Sequence, residues 1–204
     1  MKKPLATAGY TFAMQDDLFA SAGEAGWDDP HRLFFALWPD AGLREEICRV
    51  AARLERDWAP GGRRLRPDRY HLTMQYLGDY SPLPVALLEQ ACAAADGVRL
   101  PAFDLQLDRA ASFAGARVWW LGTQAVPEGL ERLWDGLGQV LARAHVRVKS
   151  APAFTPHLTL QRDVRRLIEP MPVEPLAWPV REFVLIDSQP RRPYAVLRRW
   201  ALAG

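Results

Sequence analysis

The tetrapeptides His71-Leu72-Thr73-Met74 and His157-Leu158-Thr159-Leu160 constrain this chain more than any bulk property does. Each is His-x-Thr-x with apolar residues at both x positions, inside a run that reads as a β-strand. Side chains alternate between the two faces of a strand, so His71 and Thr73 share one face while Leu72 and Met74 take the other. The same holds for His157 and Thr159 against Leu158 and Leu160. The chain has only 4 His. Random placement would put Thr two residues after two of them with a probability on the order of half a per cent. A lone strand histidine is usually structural; the duplicated motif is the signal. Brought together, the two pairs would set two proton-transfer groups and two hydroxyl donors around one anion.

The pattern around the motifs predicts how they are carried. Arg32 to Trp38 reads as a strand, and Asp40 caps a helix running to about Trp58 with Leu43, Ile47, Val50, Ala51 and Leu54 at helical spacing. Pro60-Gly61-Gly62 breaks it, and the first motif strand covers Tyr70 to Leu77. A helix over Pro84 to Ala95 follows. Strands at Phe103 to Phe113 and Arg117 to Leu121 flank the turn Ala114-Gly115-Ala116. A helix over Glu128 to Ala144 then precedes the second motif strand, His157 to Gln161, which is entered through Thr155-Pro156. Val180 to Asp187 and Tyr194 to Ala201 complete the strands. Helix, breaker, His-x-Thr strand thus occurs twice. The expected fold is α/β (α+β) and bilobal: two antiparallel sheets facing a central cleft, helices outside, with pseudo-twofold duplication. A single mixed sheet with two unrelated histidines is the plainer alternative, and the hydrophobic stripes do not separate the two. Residues 1–30 lack periodicity and read as a loose extension; residues 31–204 read as one domain.

Composition narrows the setting. The formal net charge is +2, with −3 carried by residues 1–30 and +5 by the rest. Arg63, Arg64, Arg66 and Arg69 precede the first motif. Arg162, Arg165 and Arg166 follow the second, and Arg191, Arg192, Arg198 and Arg199 lie beyond. Clusters beside both motifs favour an anionic substrate, although the chain is not basic enough for a nucleic-acid coat. No apolar run is long enough for a membrane span, and Pro4, Gly9, Gln15 and Asp16-Asp17 interrupt any secretory signal. Cys48 and Cys92 have no metal spacing and point to reduced thiols in a cytoplasmic protein. His31 and His145 lie away from the motifs, and no His/Asp/Glu set has zinc-like spacing, so neither metal nor cofactor is expected.

The chain resembles the two-histidine phosphoesterases, and within them the RNA 2',3'-cyclic phosphodiesterases, long called 2'-5' RNA ligases. The resemblance runs from about Arg32 to Leu202. It is carried by Arg32-Leu33-Phe34-Phe35-Ala36-Leu37, by the first motif with Tyr76-Leu77-Gly78, and by Val118-Trp119-Trp120-Leu121-Gly122. Phe154-Thr155-Pro156 with the second motif and Gln161-Arg162, and Tyr194 through Trp200, also belong to it. It implies a bilobal α/β fold with the active cleft between the lobes, and a monomer acting on RNA or nucleotide ends bearing a 2',3'-cyclic phosphate. His157 would act as proton acceptor towards water and His71 as proton donor to the leaving 3' oxygen, with Thr73 and Thr159 donating to the non-bridging oxygens. The sequence leaves open which imidazole is acid and which base. By the same resemblance Tyr76 would stack on a base and Arg162 would bind phosphate. Both stand five residues after a motif histidine, where strict alternation puts them on the wrong face, so these roles require a bulge or a strand end. A core position for Tyr76 and a solvated one for Arg162 stay open. Two other functions are consistent with the same residues: reversible 2'-5' RNA ligation, and nucleotide or RNA binding without catalysis.

Overall fold

The computed structural model describes residues 29–149 and 154–204. The loose extension expected over residues 1–30 lies outside them, apart from Asp29 and Pro30. The elements, in order, are β1 (His31–Leu37), α1 (Ala41–Trp58), β2 (Arg63–Arg64), a 3-10 turn (Pro67–Arg69), β3 (Leu72–Tyr80) and α2 (Val85–Ala95). They are followed by β4 (Phe103–Phe113), β5 (Val118–Gly122), α3 (Glu128–Arg143), β6 (His157–Arg162), β7 (Met171–Val180), β8 (Glu182–Ser188) and β9 (Ala195–Ala201).

Local chemistry explains most boundaries. The Asp40 carboxylate accepts from the Leu43 backbone N–H at 2.8 Å, capping α1. The helix stops at Ala59, whose left-handed backbone returns its N–H to the Glu55 carbonyl, immediately before Pro60. Leu43, Ile47, Ala51 and Leu54 of α1 and Leu130, Leu133, Leu137 and Leu141 of α3 are buried, so the helical stripes are the core-facing ones.

The strands form one nine-stranded sheet in the order β7-β4-β5-β6-β3-β1-β8-β9, with β2 also paired to β6. Every ladder is antiparallel. In place of two separate sheets facing a central cleft, the strands make one sheet, whose two four-stranded halves join where β3 meets β6 through the single pair Leu72↔Leu158. A strand, helix and motif strand build the centre of each half: β1, α1 and β3 on one side, β5, α3 and β6 on the other.

β7 went unforeseen because Pro172, Pro175 and Pro179 argue against a strand. Its place at one edge of the sheet is where missing backbone donors are tolerated. One face of the sheet packs on all three helices through a large apolar core that includes Leu33, Phe35, Leu72, Met74, Leu158 and Leu160. Phe34, Ala36, Tyr76, Val184 and Ile186 form a second, smaller cluster on the opposite face. The alternation of β1 between these two clusters fixes which face lacks helices, and that face carries the motif histidines.

Candidate active site

The Leu72↔Leu158 pair determines the geometry of the site. Both leucines are fully buried on the helix side, so their flanking residues project from the other side. Antiparallel pairing centred on those leucines directs His71 towards the Thr159 side and Thr73 towards the His157 side of the junction. Each motif strand therefore supplies an imidazole on one half of the site and a hydroxyl on the other. His71 and Thr159 are buried, at 6% and 7% exposure; His157 and Thr73 are half-buried.

The two imidazoles are held alike. His71 Nδ1 donates to the Arg69 carbonyl at 2.8 Å, and His157 Nδ1 donates to the Thr155 carbonyl at 2.8 Å. A carbonyl only accepts, so each ring carries its proton on Nδ1 and leaves Nε2 for proton exchange. Aromatic rings support both: Phe34 at 4.8 Å and Tyr194 at 5.4 Å from His71, Phe113 at 4.8 Å and Trp120 at 6.4 Å from His157.

Bulges resolve the problem posed by the fifth residue after each histidine. Against β1, the register steps from Ala36↔Thr73 to Phe35↔Gln75, so Met74 is the extra residue. Against β5, it steps from Trp120↔Thr159 to Trp119↔Gln161, making Leu160 the extra residue. Met74 and Leu160 both stay in the helix-side core. Gln75 and Gln161 follow them to that side, each 5% exposed or less. The Gln75 amide donates to the Trp134 carbonyl of α3 at 2.9 Å, and the Gln161 amide to the Gly61 carbonyl at 3.0 Å. The next residue in each strand, Tyr76 or Arg162, is thereby returned to the histidine face.

These two residues differ in their surroundings on that face. Tyr76 packs in the small cluster with Phe34, is 5% exposed, and has the Lys149 ammonium 5.6 Å from its ring centroid. Arg162 is half-buried, and its charge acts on both imidazoles. Burial lowers the Arg162 pKa to about 10, with the neighbouring Arg63 and Arg32 adding to the effect. Among the described residues, no three His, Cys, Asp or Glu side chains gather as a metal site. Nor is any described helix long and apolar enough to cross a membrane.

Residues 42–192 match the 2'-5' RNA ligase superfamily. The chain is 37% identical over 180 residues to an Escherichia coli (strain K12) protein named RNA 2',3'-cyclic phosphodiesterase, covering 85% of this chain and 98% of that one. It belongs to the 2'-5' RNA ligase superfamily. Two crystal structures show the same architecture. E. coli LigT complexed with 3'-AMP gives a TM-score of 0.70 at 33% identity, covering 86% of this chain and 99% of that one. The Thermus thermophilus protein TT0787 gives 0.67 at 26% identity, covering 85% and 98%.

Most of the arginines in the sequence clusters have structural partners in this superfamily member. Arg64 pairs with Glu55, Arg66 with Asp68, Arg191 with Asp29, Arg198 with Asp96 and Arg199 with Glu182. Arg166 lies over Trp58. Arg69 remains at the site: its guanidinium sits 4.3 Å from the Tyr194 ring centroid while its carbonyl orients His71. Residue patterns left Tyr194, Gln75 and Gln161 without a role. A glutamine four residues after both histidines was the available clue, but alternation would have assigned it to the histidine face.

The buried imidazole couples pH to stability. Burial is the main cause lowering the His71 pKa to about 4; Arg162, His157 and Arg69 add to it, and the bond to the Arg69 carbonyl opposes it. The ordinary imidazole value is about 6.5. Above that value neither the folded nor the unfolded chain holds the second proton. As pH falls through 6.5 towards 4, the unfolded chain takes up a proton that the folded chain refuses, and stability is lost. The full effect is about 3 kcal/mol. Urea unfolding at pH 7 and pH 4 should show this loss, and His71→Gln should remove most of it. Equal sensitivity to acid in the variant would contradict the assignment.

Proposed function

We infer that this protein hydrolyses 2',3'-cyclic phosphate ends of RNA and nucleotides, opening the bond to the 3' oxygen and leaving a 2'-phosphate. The observation that carries the reading is the pair of imidazoles with matching carbonyl-fixed tautomers on adjoining strands, each directed towards the side of the other strand's threonine. Kinship with the E. coli RNA 2',3'-cyclic phosphodiesterase supplies the substrate class.

In the mechanism, His157 Nε2 takes a proton from water as its oxygen attacks phosphorus. The P–O3' bond breaks, and His71 Nε2–H delivers a proton to the departing 3' oxygen. Thr73 and Thr159 hydroxyls donate to the non-bridging oxygens as charge builds there, and the Arg162 guanidinium adds charge-assisted bonds. An acid at His71 must be protonated, which its burial opposes. The bound phosphate anion offsets that penalty, because an opposite charge at contact distance favours the imidazolium. Tyr76 forms the wall for the base, which stacks on its ring once the Lys149 side chain is displaced. We place the enzyme in the cytoplasm as a monomer.

Ligation through a 2'-5' bond reverses the same steps at the same groups, but abundant water favours hydrolysis. The test is incubation with each nucleoside 2',3'-cyclic phosphate and identification of the product. A 2'-phosphate is expected; a 3'-phosphate would reverse the assigned bond, and absence of turnover would leave only a binding module. Activity should persist in excess chelator. Its abolition, with recovery on adding a divalent metal, would overturn the two-imidazole chemistry.

A further inference from the structure

The two-residue strand β2 sets Arg63 directly opposite Arg162 and Arg64 opposite Gln161 on β6. Directly opposed residues in an antiparallel ladder share a face, and like charges there destabilise the pairing. This chain nonetheless secures the juxtaposition at several points. Leu65 N–H donates to the Leu160 carbonyl at 2.8 Å, and the Arg165 and Arg166 N–H groups reach the Pro60 carbonyl at 2.8 and 3.1 Å. The Gln161 side chain holds Gly61. Gly62, at φ +82, lies so close to β6 that a Cβ there would stand 2.3 Å from the Arg162 carbonyl oxygen. The backbone before Arg63 is thus a glycine by necessity, and the strand cannot turn the two guanidinium-bearing residues apart.

Neutralisation is uneven. Arg64 has Glu55 at 3.3 Å and Arg32 has Asp79 at 3.2 Å. Arg63 is exposed and has no carboxylate partner among the described residues. An enforced like-charge pair with its outer member unneutralised fits an anion. It is not the phosphate between the imidazoles: Arg162, the half-buried member of the pair, is the one whose charge acts on both rings, and Arg63 is the exposed, outer member. An RNA ending in a 2',3'-cyclic phosphate has its remaining phosphates only on the 5' side.

We propose that Arg63 binds the phosphodiester joining the terminal nucleotide to the one before it, so that the site recognises a polynucleotide end in preference to a mononucleotide. This rests on the hydrolytic reading above and specifies its substrate. The influence of Arg63 on the Arg162 guanidinium agrees with their closeness. One charge-assisted contact corresponds to roughly tenfold in affinity.

The test compares a dinucleotide ending in a 2',3'-cyclic phosphate with the nucleoside 2',3'-cyclic phosphate, using wild type, Arg63→Gln and Arg63→Lys. Wild type should prefer the dinucleotide roughly tenfold in kcat/KM, mainly through KM. The preference should collapse in Arg63→Gln and largely survive in Arg63→Lys. For the dinucleotide, the dependence of log kcat/KM on log salt should weaken in Arg63→Gln by about 0.7, one single-strand phosphate contact. No wild-type preference, or an unchanged preference in Arg63→Gln, overturns the subsite. Equilibrium binding of a dinucleotide and a mononucleotide, each bearing a terminal 3'-phosphate, separates this proposal from the hydrolytic one. An Arg63-dependent preference in binding without any turnover would retain the subsite and remove the hydrolase. Turnover without such a preference would do the reverse.

Discussion

His71→Ala and His157→Ala are each expected to reduce kcat on a 2',3'-cyclic nucleotide by at least ~10²-fold, the lower range for a lost general acid or base. The two losses should differ in kind. Proton donation matters only while the leaving oxygen is a poor leaving group. A nitrophenyl phosphodiester, whose leaving group departs without a proton, should therefore recover most of the rate in His71→Ala. It should recover little in His157→Ala, because water must still be activated. Recovery in the opposite variant would exchange the acid and base roles, and wild-type rates in either would end the two-imidazole mechanism. Truncating His71 removes a ring packed between Phe34 and Tyr194, so melting curves must accompany the rates. His157 is half-buried and provides the cleaner comparison.

Arg162→Gln is expected to lower kcat/KM by about 10²-fold or more, as for loss of a donor aimed at developing charge, and also to move the pH profile. The guanidinium depresses the pKa of both imidazoles. Without that charge both should titrate closer to the ordinary value, and the limbs of kcat/KM against pH should move upward. Arg162→Lys keeps the charge and loses the bidentate fork, so it should restore more of the profile than of the rate. An unchanged or downward-moving profile in Arg162→Gln would show that this residue does not set the electrostatics of the histidines. Together these outcomes separate a phosphate contact from a residue that merely fills space.

How much of this was legible beforehand varied with the range of the interaction concerned. Asp40 and the Leu43, Ile47, Ala51 and Leu54 stripe announced α1 because a cap and a helical face are local facts. The Leu130 to Leu141 stripe did the same for α3. The faces of His71, Thr73, His157 and Thr159 followed from alternation over three residues. Alternation then failed at the next step. Met74 and Leu160 each add a residue to one strand without a counterpart on its neighbour, and such a mismatch is a property of two strands together. Tyr76 and Arg162 could be placed only conditionally for that reason, and Gln75 and Gln161 not at all. β7 was hidden by its prolines, which an edge position accommodates.

Sequence alone determined that this chain carries two strands each presenting an imidazole beside a hydroxyl, and that helices with one apolar stripe precede them. Those properties depend on backbone periodicity and on neighbours a few residues away. Tertiary structure decided that Leu72 meets Leu158, that both imidazoles share one face with Arg162, and that Arg63 is held opposite it. Nothing short-range encodes a contact between residues 72 and 158. It arises when the two halves of the sheet bury their leucines in one core, and the chemistry on the opposite face follows from that packing.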